Sequence, residues 1–127
     1  MVSDEPVRIL IVGHCGPDSY ALRSAVSRFV PGASVEFAAD EAALQGSMPT
    51  ATLLLVNRVL DGDYRLEYGV ELIRELSAAG QPRTMLISNF PDAQDEAVRA
   101  GALPGFGKRE MNSDDARQKI LAAVGRL

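Results

Sequence analysis

Three short apolar runs limit what this chain can fold into. Val7 to Val12 (VRILIV), Thr52 to Val56 (TLLLV) and Thr84 to Ser88 (TMLIS) are each almost continuously aliphatic. Such a run is too short for a buried helix, and it lacks the alternation of a strand with one wet face. It fits a strand covered on both faces, as in a parallel sheet with helices above and below.

The intervening segments read as those helices. Asp18 is placed to cap the first, with Leu22, Ala25, Val26 and Phe29 at helical spacing and Pro31-Gly32 closing it. Ser34 to Ala38 (SVEFA) is a second, less apolar strand, nearer a sheet edge. Asp40 opens a short helix through Leu44 that Gly46 closes. Tyr68 to Ala79 is helical, with Val70, Ile73 and Leu76 or Ser77 inward and Gly80 as terminator. Asp92 to Ala100 is an alanine-rich helix ending at Gly101, and Pro104 to Gly107 is a weak fifth strand. Ser113 caps the last helix, whose first turn holds Asp114 and Asp115, where the helix dipole favours them. Ala116, Ile120, Ala123 and Val124 face inward. Five β-α units joined this closely make an α/β domain, a doubly wound five-stranded parallel sheet with five helices. The whole chain, 1–127, reads as that single domain. Ligands of such sheets sit beyond the carboxyl ends of the strands. Those ends are Gly13-His14-Cys15, Asn57, Ser88 and Lys108.

Composition narrows the function. A net charge of −4 argues against a nucleic-acid partner, which needs a basic face. No apolar run is long enough for a membrane span, and the acidic start Met1 to Pro6 is unlike a leader, so a cytoplasmic location is expected. One cysteine excludes an intrachain disulfide. One histidine beside it cannot build a zinc site. Gly13-His14-Cys15-Gly16 has neither dinucleotide nor P-loop spacing. Asp61-Gly62-Asp63 is similar to a calcium loop, but Arg65 stands where a further oxygen ligand belongs. The charged loop Arg58 to Glu67, with Tyr64 and Tyr68, is long enough to be a recognition surface, or is an ordinary variable loop.

The order of the strand ends resembles a response-regulator receiver domain, the module of two-component signalling, in a degenerate or pseudo-receiver form. LLLVN (residues 53–57) is similar to the strand that ends in the phospho-accepting aspartate, and LIS (86–88) to the strand that ends in Thr or Ser. Ala100-Gly101-Ala102 followed by Lys108 is similar to the family's Gly-Ala and lysine. The resemblance implies a flavodoxin-like sheet of order 2-1-3-4-5. It also implies roles for particular positions. The acidic pair falls on Gly13 and His14, and the phospho-acceptor on Asn57. Ser88 and Lys108 are the retained switch-type residues. The proline after the lysine is replaced by Arg109, and the aromatic switch position falls on Gly105, with Phe106 adjacent.

These departures remove the chemistry that the family would supply. Mg²⁺ wants carboxylate oxygens, which Gly13, His14 and Asn57 do not offer, so no specific Mg²⁺ site and no other metal or cofactor is expected. An amide is no nucleophile, so no phosphorylation is expected at residue 57. With neither a nucleophile–base pair nor a cofactor fingerprint, the chain does not read as an enzyme. Lys108, without its acidic cluster, is expected to pair with Asp61, Asp63 or Glu67, to lie exposed to solvent, or to help form an anion pocket with Asn57 and Ser88 near Asp18. Two functions follow. One is a signalling module that works by protein–protein interaction through the face of the fourth helix, fifth strand and fifth helix, about Asp92 to Leu127. Its partner would be a kinase, regulator or effector domain, or a second copy. The other is a small anion or metabolite sensor that uses the altered pocket.

Overall fold

A computed structural model describes residues 6–80 and 82–127. The acidic start at 1–5 lies outside the described residues. The elements in chain order are β1 (Arg8–Val12), α1 (Gly16–Phe29), β2 (Ser34–Ala38), α2 (Glu41–Ser47), β3 (Leu53–Asn57), α3 (Gly69–Ala79), β4 (Arg83–Ile87), α4 (Pro91–Ala100), β5 (Leu103–Phe106) and α5 (Asp114–Ala123). The strands are parallel and ordered β2-β1-β3-β4-β5. This is the flavodoxin-like arrangement.

Alternation along each strand divides the core in two. Ile9, Ile11, Leu53, Leu55, Met85 and Ile87 pack with α1 and α5. Leu10, Val12, Leu54, Val56 and Leu86 pack with α2, α3 and α4. All these side chains are buried, and each large aliphatic one contributes about 1.5–3 kcal/mol. That two-sided burial is why the central strands read as unbroken apolar runs. β2, with exposed Ser34 and Glu36, is an edge strand as its composition predicts.

Several boundaries differ from the sequence reading. β3 runs one residue further than expected, so Asn57 is its last residue, and β4 and β5 begin one residue early, at Arg83 and Leu103. Asp18 does not cap α1. The helix begins at Gly16 with Cys15 in the capping position, because Pro17 has the backbone angle of a first turn and needs no hydrogen bond there. Gly46 does not end α2. The helix passes through it and continues into a 3-10 turn at Met48–Thr50, with Leu44 buried beneath. Of Leu76 and Ser77, Leu76 is the buried one. Asp40, Ser113, Gly80 and Gly101 play their expected capping and terminating roles. Among the described residues, no helix is long and apolar enough to cross a membrane.

β5 joins the sheet irregularly. Met85 pairs with Leu103 and Ile87 with Phe106, so one strand carries an extra residue. Gly105 sits at that slip, where a Cβ would lie 2.0 Å from the Leu86 carbonyl oxygen. The Gln94 side chain in α4 bridges the irregularity. Its Nε2 donates to Leu86 O at 2.9 Å and Ser88 O at 3.1 Å, and reaches Phe106 O at 3.3 Å.

Candidate functional site

The carboxyl ends of β1, β3, β4 and β5 bring Gly13, His14, Asn57, Ser88 and Lys108 to one end of the sheet. Asn57, Ser88 and Lys108 line one cleft of about 210 Å³, together with Arg58, Asn89 and Phe90. The three are not hydrogen-bonded to one another among the described residues. Each is tied elsewhere.

Asn57 Nδ2 donates to Gly13 O at 3.0 Å and to Val59 O at 2.8 Å. One amide thus clamps the β1–α1 loop to the start of the β3–α3 loop. A carboxylate in this geometry would set negative oxygen against two carbonyl oxygens. Ser88 Oγ accepts from the Phe90 N–H at 3.2 Å and helps turn the chain into α4. Lys108 Nζ lies 2.9 Å from Asp18 Oδ2. The partner is therefore Asp18, and not Asp61, Asp63 or Glu67. α1 begins early enough to place Asp18 in its first turn, beside the end of β5, while the long loop folds the other way. This bond holds the Asp18 carboxyl below its ordinary pKa.

Gly13 is enclosed rather than vacant. Its φ is +79°, and a Cβ there would meet Leu60 Cδ2 at 2.6 Å and Leu60 Cα at 3.0 Å. An aspartate at this position would be strained and would collide with the loop. The loop is held down by backbone and side chain alike. Asp61 N donates to Gly13 O at 2.9 Å, and Gly13 N donates to the Tyr64 hydroxyl at 3.1 Å. That hydroxyl donates onward to Ala38 O. Glu41 Oε1 receives the Arg65 N–H at 3.0 Å, which fastens the loop to α2. Burial raises the Tyr64 hydroxyl above its ordinary pKa, against the opposing bond from Gly13. Leu60 is a site residue that the sequence reading missed, and Tyr64 one that it placed only within a possible recognition loop. Their apolar bodies, spaced through a charged loop, were the available signal.

His14 is 8% exposed. Its Nε2 lies 3.0 Å from Leu55 O and serves as the donor, which leaves Nδ1 buried and without a partner among the described residues. Burial pushes its pKa down to about 4, against the hydrogen bond to Leu55. Cys15 is half-buried, forms no disulfide, and its side chain hydrogen-bonds the Asp18 carboxylate. Arg109 also has a local reason to replace proline, since its N–H donates to Asn89 Oδ1 at 3.1 Å, a bond proline cannot make. Phe106 turns into the core beside α1 and α5, away from the cleft.

The donor set does not suit Mg²⁺. Gly13 offers no side chain, both His14 nitrogens are buried, Asn57 is neutral and Asp18 is engaged by Lys108. Among the described residues, no group of three or more His, Cys, Asp or Glu side chains is placed to hold a metal ion.

No family model matches the sequence, and no curated protein matches it. Solved structures do. The signal receiver domain of a DNA-binding response regulator (merR) from Colwellia psychrerythraea 34H superposes with a TM-score of 0.74 at 17% identity, over 93% of this chain and 98% of that one. The RcsB response regulator of Salmonella typhimurium gives 0.72 at 17% identity, over 96% of this chain and 66% of that longer chain. The receiver domain of NtrX from Brucella abortus gives 0.65 at 20% identity, over 92% of this chain and 97% of that one. The chain has the receiver-domain fold.

Proposed function

We propose that this chain is a phosphorylation-independent receiver-like signalling module, which acts through protein–protein contact and not through an aspartyl phosphate. The observation that carries the reading is the Asn57 clamp. At the receiver fold's phospho-acceptor position stands an amide whose nitrogen serves two backbone carbonyls. The acidic-pair positions, Gly13 and His14, are spent on close packing and a buried hydrogen bond. The switch-type residues Ser88 and Lys108 are likewise committed, to the α4 turn and to Asp18. The output surface is the α4–β5–α5 face. Val98 of α4 is 45% exposed, and an apolar cleft of about 440 Å³ lies between β5 and α5, lined by Leu103, Pro104, Lys119 and Ala122 among others. A kinase, regulator or effector domain, or a second copy, would dock there.

The test is an amide NMR titration with Mg²⁺ and then beryllofluoride, a phosphoryl mimic. Flat spectra at Asn57, Ser88 and Lys108 are the expected result. Saturable shifts there would overturn the reading. The convergence of those three residues on one cleft favours a second reading, a small anion or metabolite sensor. It requires an anion to displace Asp18 from Lys108. A melting temperature that rises with anion concentration, and no longer does so in Lys108→Ala, would select it.

A further inference from the structure

A second groove lies on the α3 side of α4, away from β5. It holds about 500 Å³ and is lined by Arg58, Tyr68, Val70, Phe90, Asp92 and Glu96, with Ala93 at its floor. Phe90 is 57% exposed and Tyr68 45%, so two aromatic side chains stand uncovered at one place. Such a patch is characteristic of contact surfaces. Asp92 and Glu96 are one helical turn apart on α4 and share a face. Neither takes part in an ion pair among the described residues, whereas Arg58, which also lines the groove, is stacked over the Phe90 ring at 4.9 Å from its centroid. The groove therefore combines apolar surface with two carboxylates that form no ion pair among the described residues.

We propose that this groove binds a basic segment of a partner protein, seating an aliphatic side chain against Phe90 and Tyr68 while lysine or arginine faces Asp92 and Glu96. Charge complementarity selects this occupant, since an acidic or purely apolar segment would leave the two carboxylates repelled or desolvated without compensation. The groove also has a consequence for the site. Arg58 and Phe90 line both the groove and the Asn57 cleft. An occupant that displaces Arg58 from Phe90 alters the cleft's wall, so the two are coupled through one shared pair of side chains. The inference goes beyond the proposed function, because it holds whether or not the α4–β5–α5 face is used.

The experiment is an NMR titration of the intact chain with two acetylated amphipathic peptides. One is built of leucine, alanine and lysine with its leucines at helical spacing, and its twin carries glutamate for every lysine. The lysine peptide should bind saturably, about tenfold or more tighter than its twin, with shifts at Val70, Phe90, Ala93 and the Asn57 side-chain amide. Phe90→Ala should weaken it. Asp92→Lys with Glu96→Lys, both on exposed positions, should reverse the preference between the peptides while the circular dichroism spectrum stays unchanged. Equal affinity for the two peptides, no saturation, or shifts confined to α5 and β5 would overturn the proposal. Groove shifts that follow protein concentration alone would also overturn it, since a second copy would then be the occupant. None of these outcomes bears on the beryllofluoride result, so the two readings fail separately.

Discussion

Asn57 and His14 show how much one atom decides. Changing Asn57 to Asp exchanges a donor for an acceptor in front of Gly13 O and Val59 O. The expected cost is about 1–3 kcal/mol of stability at neutral pH, read as a lowered urea midpoint. In the folded mutant the protonated acid can donate, so its pKa is raised. The mutant's deficit should therefore shrink as pH falls towards 4 and grow as pH rises through that raised value. The same mutant should not accept phosphate from acetyl phosphate, because Gly13 and His14 still provide no metal ligand. His14 has the opposite sign. Its folded pKa is lowered to about 4 from an unfolded value of 6.5. The unfolded chain thus binds the proton first. Its contribution is complete above pH 6.5, declines as pH falls from 6.5 towards 4, and levels off below. The span is about 3 kcal/mol. His14→Gln, which keeps a donor for Leu55 O, should flatten that part of a stability–pH profile relative to the parent. The identities of both residues are plain in the sequence. Which atom each uses, and on what partner, is not, because Gly13 and Leu55 meet them only in the folded chain.

At the scale of elements, the β3–α3 loop is the part whose role changed most between sequence and structure. Its charges suggest a solvated recognition loop, yet Leu60 is buried and the Tyr64 hydroxyl joins Gly13 N to Ala38 O. Tyr64→Phe keeps the ring and removes both bonds. It should cost about 1–3 kcal/mol and speed hydrogen exchange at the Gly13 amide, while β5 and α5 amides exchange as before. Unchanged protection at Gly13 would mean that the loop is held by its backbone alone. α4 is pinned in a comparable way by Gln94, which serves carbonyls left by the irregular β4–β5 pairing. Gln94→Leu should destabilise by about 1–3 kcal/mol, since it strands a buried carbonyl, and should loosen α4 in preference to α3. The strong alternation of apolar and helical segments made the elements themselves legible. Their ends were harder, because Pro17 and Gly46 act differently once neighbouring helices and the sheet supply the packing.

Across the whole molecule, the Lys108–Asp18 pair joins the end of β5 to the start of α1. Both groups are about a third exposed, so solvent and salt screen the pair, and Lys108→Ala should cost less than about 1 kcal/mol in a denaturant titration. A larger loss would make the pair a structural tie and not a remnant. Its role is geometric, since it occupies the cation that an anion in the cleft would need. Sequence by itself indicated the layered architecture of this protein, because unbroken apolar runs of about five residues that alternate with helical segments fit strands covered by helix on both faces. It also determined which side chains stand at the strand ends, because those ends follow from where the runs stop. Tertiary structure alone decided what those side chains do. Asn57 clamps two loops, Lys108 meets Asp18, Leu60 and Tyr64 enclose Gly13, and Arg58 stacks on Phe90. Apart from Asn57's bond to nearby Val59, each of these contacts joins residues from different connections at one end of the sheet. Local propensity carries no information about them, because distances between loops are set only when the sheet twists and its helices pack.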